Sequence, residues 1–285
     1  MNAPRVTKGS ASLVYFYYGD DKFITLCQET LKLKKAMEGY DRVVLLKHDT
    51  IPSILDFSEA DERLADVVAA PTRANFAYHL KDLARDGYMI DLWIFAHGFR
   101  GGFLVSKGRH GDNDAYTKAK IEADLGSVAT GLSRLPIRMV WSTLCYGATL
   151  NATWQKLGAK VAGGSRFINF FPNQFGRFAN EWNRGTVSYR DALERADTAA
   201  SRTVVHTYIA TIDAPRQRSE WGRCPFGRTV LGSRPCAKTY FTKRWNMTDT
   251  EYRDDLSGKL NMNHSSEKIV AGQGALTKRS APTWS

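Results

Sequence analysis

Apolar runs of strand length, none with a polar alternate face, recur between helix-patterned stretches. No other feature so narrows what this chain can fold into. The runs occupy residues 13–18, 42–47, 90–96, 137–144 and 159–164. A strand that shows one face to water alternates polar and apolar residues, whereas a strand covered on both faces reads as a near-continuous apolar run. Between the runs, helical spacing is predicted over 21–37 (Phe23, Leu26, Cys27, Leu31 and Leu33, with Gly39 as the stop), 71–85, 148–157, 172–184 and 188–212. Pro71 opens the second of these helices and Gly87 stands just past its end, the usual punctuation of a helix. Residues 101–105 read as a short hairpin element beside the end of the 90–96 strand, and 106–134 as a mostly polar segment with an amphipathic piece at 119–128. Strands alternating with helices predict an α/β sandwich: a mostly parallel sheet of five or six strands with helices on both faces.

Composition decides which classes this architecture can serve. With 285 residues, 43% of them apolar, the chain can bury a sizeable core and is not disordered as a whole. No run reaches the roughly 18–20 apolar residues that cross a bilayer. Residues 1–5 lead into a single strand-length run with no small-residue cleavage site, which reads as no signal peptide. Four scattered cysteines point to a reducing compartment, and the expectation is a cytoplasmic protein without membrane contact. The net charge of +11 is uneven: residues 1–213 carry 27 basic and 23 acidic side chains, residues 214–285 carry 13 and 6. The division expected is therefore a domain over 1–213 and a basic, irregular extension over 214–285 that packs on it or is tethered to it, disordered in part towards Ser285. Nucleic acid is a candidate partner for that extension, but a solvated basic tail is the favoured reading. Neither a G-x-G-x-x-G nor a Walker sequence is present, and no cofactor is expected. Cys224 and Cys236, twelve residues apart, lack the close pairing of a zinc site, so no metal is expected either.

Ligand sites of open parallel sheets lie beyond the carboxyl ends of the strands. Two strands deliver a reactive side chain there: residues 90–96 run into His97, and 137–144 into Cys145. A thiol needs a neighbouring base to become a nucleophilic thiolate, and imidazole is the usual one. Gly98 and Gly147 fit a place where substrate backbone comes close. The backbone N–H groups of Gly98 and Cys145 are then candidates for an oxyanion hole.

The order strand, His-Gly, about fifty residues, strand, Cys resembles the caspase-like (clan CD) cysteine peptidases, for which that order and separation are described. It is carried here by Leu92-Trp93-Ile94-Phe95-Ala96-His97-Gly98 and by Met139-Val140-Trp141-Ser142-Thr143-Leu144-Cys145-Tyr146-Gly147. Downstream, Leu157-Gly158-Ala159-Lys160-Val161-Ala162, the stretch 175–182, Gly185 and Tyr189-Arg190-Asp191-Ala192-Leu193 are most similar to the bacterial CHAT branch. The likeness covers roughly residues 12–212, with Thr143-Leu144-Cys145 standing where caspases carry Gln-Ala-Cys. It implies a caspase-like three-layer sandwich and a cysteine endopeptidase with a His97–Cys145 dyad and an acyl-enzyme intermediate. The implied partners are a protein or peptide substrate and a regulatory protein. It also implies that Thr143, two places before the nucleophile, lines the substrate pocket, and that Arg166 can favour an acidic or polar side chain there.

Blander readings stand beside these. Cysteine is among the most buried residue types, and Cys27 reads as core. His48 and His206 read as structural, while His110, in a polar loop, is a candidate substrate contact. Trp182, Trp221 and Trp245 near arginines can stack bases but more often fill a core or lid. Two rival functions remain. One is an α/β-hydrolase with a cysteine nucleophile, which would need His206 or His264 as base and a glycine where Thr143 stands. The other is a catalytically inactive caspase-like interaction module, or a nucleic-acid-associated protein working through the basic extension.

Overall fold

A computed structural model describes residues 3–18, 33–48, 64–109, 111–167, 169, 174–203 and 267–284. The elements, in chain order, begin with β1 (Ser10–Tyr17), β2 (Arg42–Leu46) and β3 (Val67–Ala69). Helix α1 (Arg73–Arg85) follows, then β4 (Met89–Ala96), a small antiparallel sheet of β5 (Gly98–Phe99), β6 (Gly102–Ser106) and β7 (Asn113–Thr117), and α2 (Lys118–Leu125). The remainder is β8 (Ile137–Ser142), α3 (Asn151–Leu157), β9 (Val161–Ser165), α4 (Gln174–Asn183), α5 (Tyr189–Thr203) and β10 (Lys268–Gly272).

The central sheet has seven strands in the order β10-β9-β8-β4-β1-β2-β3, parallel throughout except where β10 runs antiparallel to β9. The six parallel strands, taken in chain order, lie as 3-2-1-4-5-6. That is a doubly wound sheet whose strand order reverses between β1 and β4. The chain is therefore α/β with a mostly parallel sheet, as the unalternated runs predict.

Both faces of that sheet are covered, and the strand residues sort between them with period two. Leu13, Tyr15, Ile90, Leu92 and Ile94 pack with Phe76 and Leu80 of α1, Ile121 of α2 and Trp154 of α3. Val14, Phe16, Trp93, Phe95, Met139 and Trp141 pack with Phe175, Phe178 and Trp182 of α4 and Tyr189 of α5. The second face is an aromatic stack, with Trp141 and Phe178 nearly parallel at 5.8 Å and Trp93 edge-on to Phe175 at 5.5 Å. Burying each such side chain is worth roughly 1.5–3 kcal/mol, with about 0.5–1.5 kcal/mol more for a well-placed aromatic pair. Helix α1 starts where its cap requires: the Thr72 hydroxyl accepts the Asn75 N–H at 3.2 Å.

Three expectations change. The sheet holds seven strands among the described residues, not five or six, because β3 has three residues and β10 five, too short to show a pattern. The segment 106–134 is not merely polar, since β7 lies within it and pairs with β6. Finally, one stretch of the predicted irregular extension is regular. Residues 267–284 supply β10 and then cross back beneath the sheet, where Trp284 is 5% exposed and its indole N–H donates to the Gly158 carbonyl at 2.7 Å. The rest of the predicted extension, and the predicted helices at 21–32 and 204–212, fall outside the described residues.

Candidate active site

β4 and β8 are neighbours, paired up to Ile94 and Ser142. His97 and Cys145 each stand three positions beyond that last pair, so the two strands release them at the same level above the sheet. One strand further on, Tyr17 pairs with Ala96, which brings Tyr18 level with His97. All three residues stand at the carboxyl ends of the strands, at or beside the reversal of strand order where doubly wound sheets bind ligands.

Gly98 closes the distance between the two strand ends. A Cβ placed on it would lie 2.3 Å from the Cys145 carbonyl oxygen and 2.8 Å from the Cys145 nitrogen, inside any real contact. The His97-Gly98 backbone thus packs directly on that of Cys145, and only glycine fits. Gly164 of β9 plays a similar part against the turn after Cys145, where a Cβ would meet the Gly147 carbonyl carbon at 2.2 Å. His97, Gly98 and Cys145 are all partly exposed at this edge.

Residues around the thiol are fixed by named contacts. The Asn169 backbone N–H donates to Cys145 Sγ at 3.4 Å, and its side-chain amide donates to the Thr143 carbonyl at 2.8 Å. Tyr18, 2% exposed, sets its ring edge-on to the His97 imidazole at 5.4 Å, and its hydroxyl shares a hydrogen bond with Thr143 Oγ1 at 2.5 Å. Tyr146, next after the cysteine, has φ of 55°, the single non-glycine residue with positive φ among the described residues. Such a backbone costs about 1–3 kcal/mol and persists only when its surroundings over-determine it. Here they do: its N–H donates to the Phe167 carbonyl, while its carbonyl accepts from both the backbone N–H and the hydroxyl of Thr149. The Arg100 guanidinium lies 5.3 Å from the centre of its ring.

Among the predicted site residues, His97, Gly98 and Cys145 come together. Thr143 and Arg166, the implied substrate-pocket residues, both engage partners within the chain. Thr143 is 4% exposed and turned inward to Tyr18, so it lines no open surface. Arg166 directs both Nε and Nη2 to one Glu267 oxygen, at 3.2 and 2.8 Å, and its backbone N–H donates to the Glu267 carbonyl. That guanidinium ties the end of β9 to the start of β10. His48 is buried and hydrogen-bonds Ser106 Oγ at 2.8 Å, a structural role. Trp182 is fully buried with its indole N–H on Asp91, so it is core and not a base-stacking platform. His110, Cys27, Cys224, Cys236, His206, His264, Trp221 and Trp245 lie outside the described residues.

The sequence does not mark Tyr18 or Asn169 as neighbours of His97 and Cys145. Tyr18 closes an apolar run and reads as core. Asn169 follows β9 in a stretch with no periodicity, and nothing in its neighbours marks it. Among the described residues, no group of three or more His, Cys, Asp or Glu side chains is placed to hold a metal ion, and no helix is long and apolar enough to cross a membrane. No protein-family model matches the chain, and no curated protein matches it.

Proposed function

We propose that this chain is a cysteine peptidase of the caspase-like kind, with Cys145 as nucleophile and His97 as base. The observation that carries the reading is the convergence of the two strand ends: His97 and Cys145 leave adjacent parallel strands at one level, and Gly98 packs without a side chain against the Cys145 backbone. Tyr146 adds weight, because strained backbone beside a reactive side chain is a recurrent feature of catalytic turns.

The chemistry follows in four steps. His97 takes the thiol proton of Cys145, and the Asn169 N–H favours the resulting thiolate by donating to the sulfur. The thiolate attacks the scissile carbonyl carbon, and the negative oxygen that forms is met by the N–H groups of Gly98 and Cys145. His97 returns the proton to the leaving amine, giving the acyl-enzyme. Water, deprotonated by His97, then releases the acid and restores the thiol.

Replacing Cys145 with Ala is expected to abolish peptide hydrolysis while leaving the melting temperature almost unchanged, since the side chain is partly exposed. Turnover of a mixed peptide library, read by mass spectrometry on wild type and variant, provides the test. Equal cleavage by both would remove the assignment.

A further inference from the structure

A concave feature lies at the opposite end of the strands from His97 and Cys145. A cleft of about 450 Å³ opens between the start of β1, the turn at 38–39, the end of α4 and the segment after β10. Its lining includes Ser10, Glu38, Asn183, Arg184, Lys278 and Arg279. Three cations face one lining carboxylate, and the nearby Asp41 carboxylate accepts the Ser10 N–H.

The cations are poorly neutralised from within. Arg184 has Glu181 as its ion-pair partner, but Glu181 is fully buried and shared with Arg177 and Arg195, so one negative charge is divided among three guanidiniums. Arg279 makes no hydrogen bond or ion pair among the described residues. Its stem crosses Gly185, where a Cβ would stand 2.8 Å from Arg279 Nε. Lys278 Nζ donates to the Glu38 carbonyl and to Asn183 Oδ1, both at 2.8 Å, and lies 4.0 Å from the centre of the Tyr40 ring. Burial pushes its ammonium down to about 8, a shift that the Asp91 and Glu38 carboxylates only partly oppose.

The cleft is also built in advance of any ligand. Arg138 Nη1 donates to the carbonyls of Lys278 and Ser280, so the segment bearing Lys278 and Arg279 is held before anything binds, and little ordering entropy remains to be lost.

We propose that this cleft binds a multiply charged phosphate-type oxyanion, with the Arg279 and Arg184 guanidiniums as its direct donors and Lys278 supplying charge from the floor. Guanidinium forks match the oxygens of phosphate in pairs. Since Lys278 and Arg279 belong to the segment after β10, the ligand would also fasten that segment to the domain. The site is independent of the Cys145 chemistry.

Titration calorimetry of the full chain with inorganic phosphate and with pyrophosphate, at an ionic strength fixed by sodium chloride, reads the binding directly. Saturable one-site binding is expected, tighter for pyrophosphate. It should weaken about tenfold or more in Arg279→Ala, a change expected to leave the melting temperature of the anion-free protein almost unaltered because Arg279 has no hydrogen bond or ion pair to lose among the described residues. Arg73→Ala, in the separate basic cleft beside α1, should leave binding unchanged. The proposal is overturned if neither anion gives saturable heat, if Arg279→Ala binds as wild type does, or if Arg73→Ala is the variant that loses binding.

Discussion

Gly98 is the residue on which the candidate site turns. Its constraint is spatial and not conformational, because its φ lies outside the positive region while its absent side chain would sit inside the Cys145 backbone. Gly98→Ala must therefore push β4 and β8 apart at their ends. Forcing a methyl group into packed surroundings typically costs about 1–3 kcal/mol. The expected outcome is a lowered urea midpoint together with loss of whatever peptide turnover the wild type shows. A variant of full stability would mean the close approach is not real. The two reactive residues and this glycine were legible in the sequence, since each follows an apolar run of unmistakable strand character. Their neighbours were not. Tyr18 and Asn169 reach His97 and Cys145 through pairings between residues far apart in the chain, and no local pattern encodes such a pairing.

Strands β4 and β8 carry the site at one end and a buried ion pair at the other. Asp91 and Arg138 are 0% and 1% exposed, joined by Arg138 Nε and Nη2 to the two Asp91 oxygens at 2.8 and 2.6 Å. Tyr40 and Trp182 also donate to Asp91, at 2.7 and 3.0 Å. Removing one partner strands the other's charge away from water, so Asp91→Ala should destabilise by about 3–5 kcal/mol. Replacing both together, as Asp91→Leu with Arg138→Met, should cost less, because no lone charge is left behind. Chemical denaturation of the two variants gives the comparison, and a double variant weaker than Asp91→Ala would contradict the account. Both residues interrupt apolar runs in the sequence, which flags them as odd. That they meet depends on β4 lying beside β8, a fact of sheet order alone. The same holds for β10: a five-residue stretch that opens with a lysine and ends with glycine becomes a strand because β9 offers it an edge, not because its own pattern demands it.

For the whole molecule, burial of phenols sets a limit at high pH. Burial holds the Tyr15, Tyr40 and Tyr189 hydroxyls well above the ordinary 10, and Tyr116 is raised in the same way. A group whose pKa is higher folded than unfolded adds stability below the unfolded value and loses it as pH climbs past that value. Lys278 works in the opposite sense, since its folded value of about 8 lies under the 10.5 of an exposed lysine and favours the fold as pH rises between the two. The melting temperature should therefore hold or rise gently from pH 8 to about 10 and fall steeply above it. Phenolate absorbance from the buried tyrosines should appear only with loss of the circular dichroism signal; full ionisation near pH 10 in an intact fold would contradict this. At this scale the division between sequence and structure is clear. The order of residues along the chain settles the class of fold, because runs buried on both faces and separated by helices admit little besides a covered parallel sheet. It also placed His97 and Cys145 at strand ends. Packing across the whole fold settles which strands are neighbours, where the strand order reverses, that Thr143 meets Tyr18 and Arg166 meets Glu267, and that residues 268–272 add a strand to the sheet. Periodicity is a property of one element and survives in its residues, whereas adjacency is settled by the packing of all the elements at once.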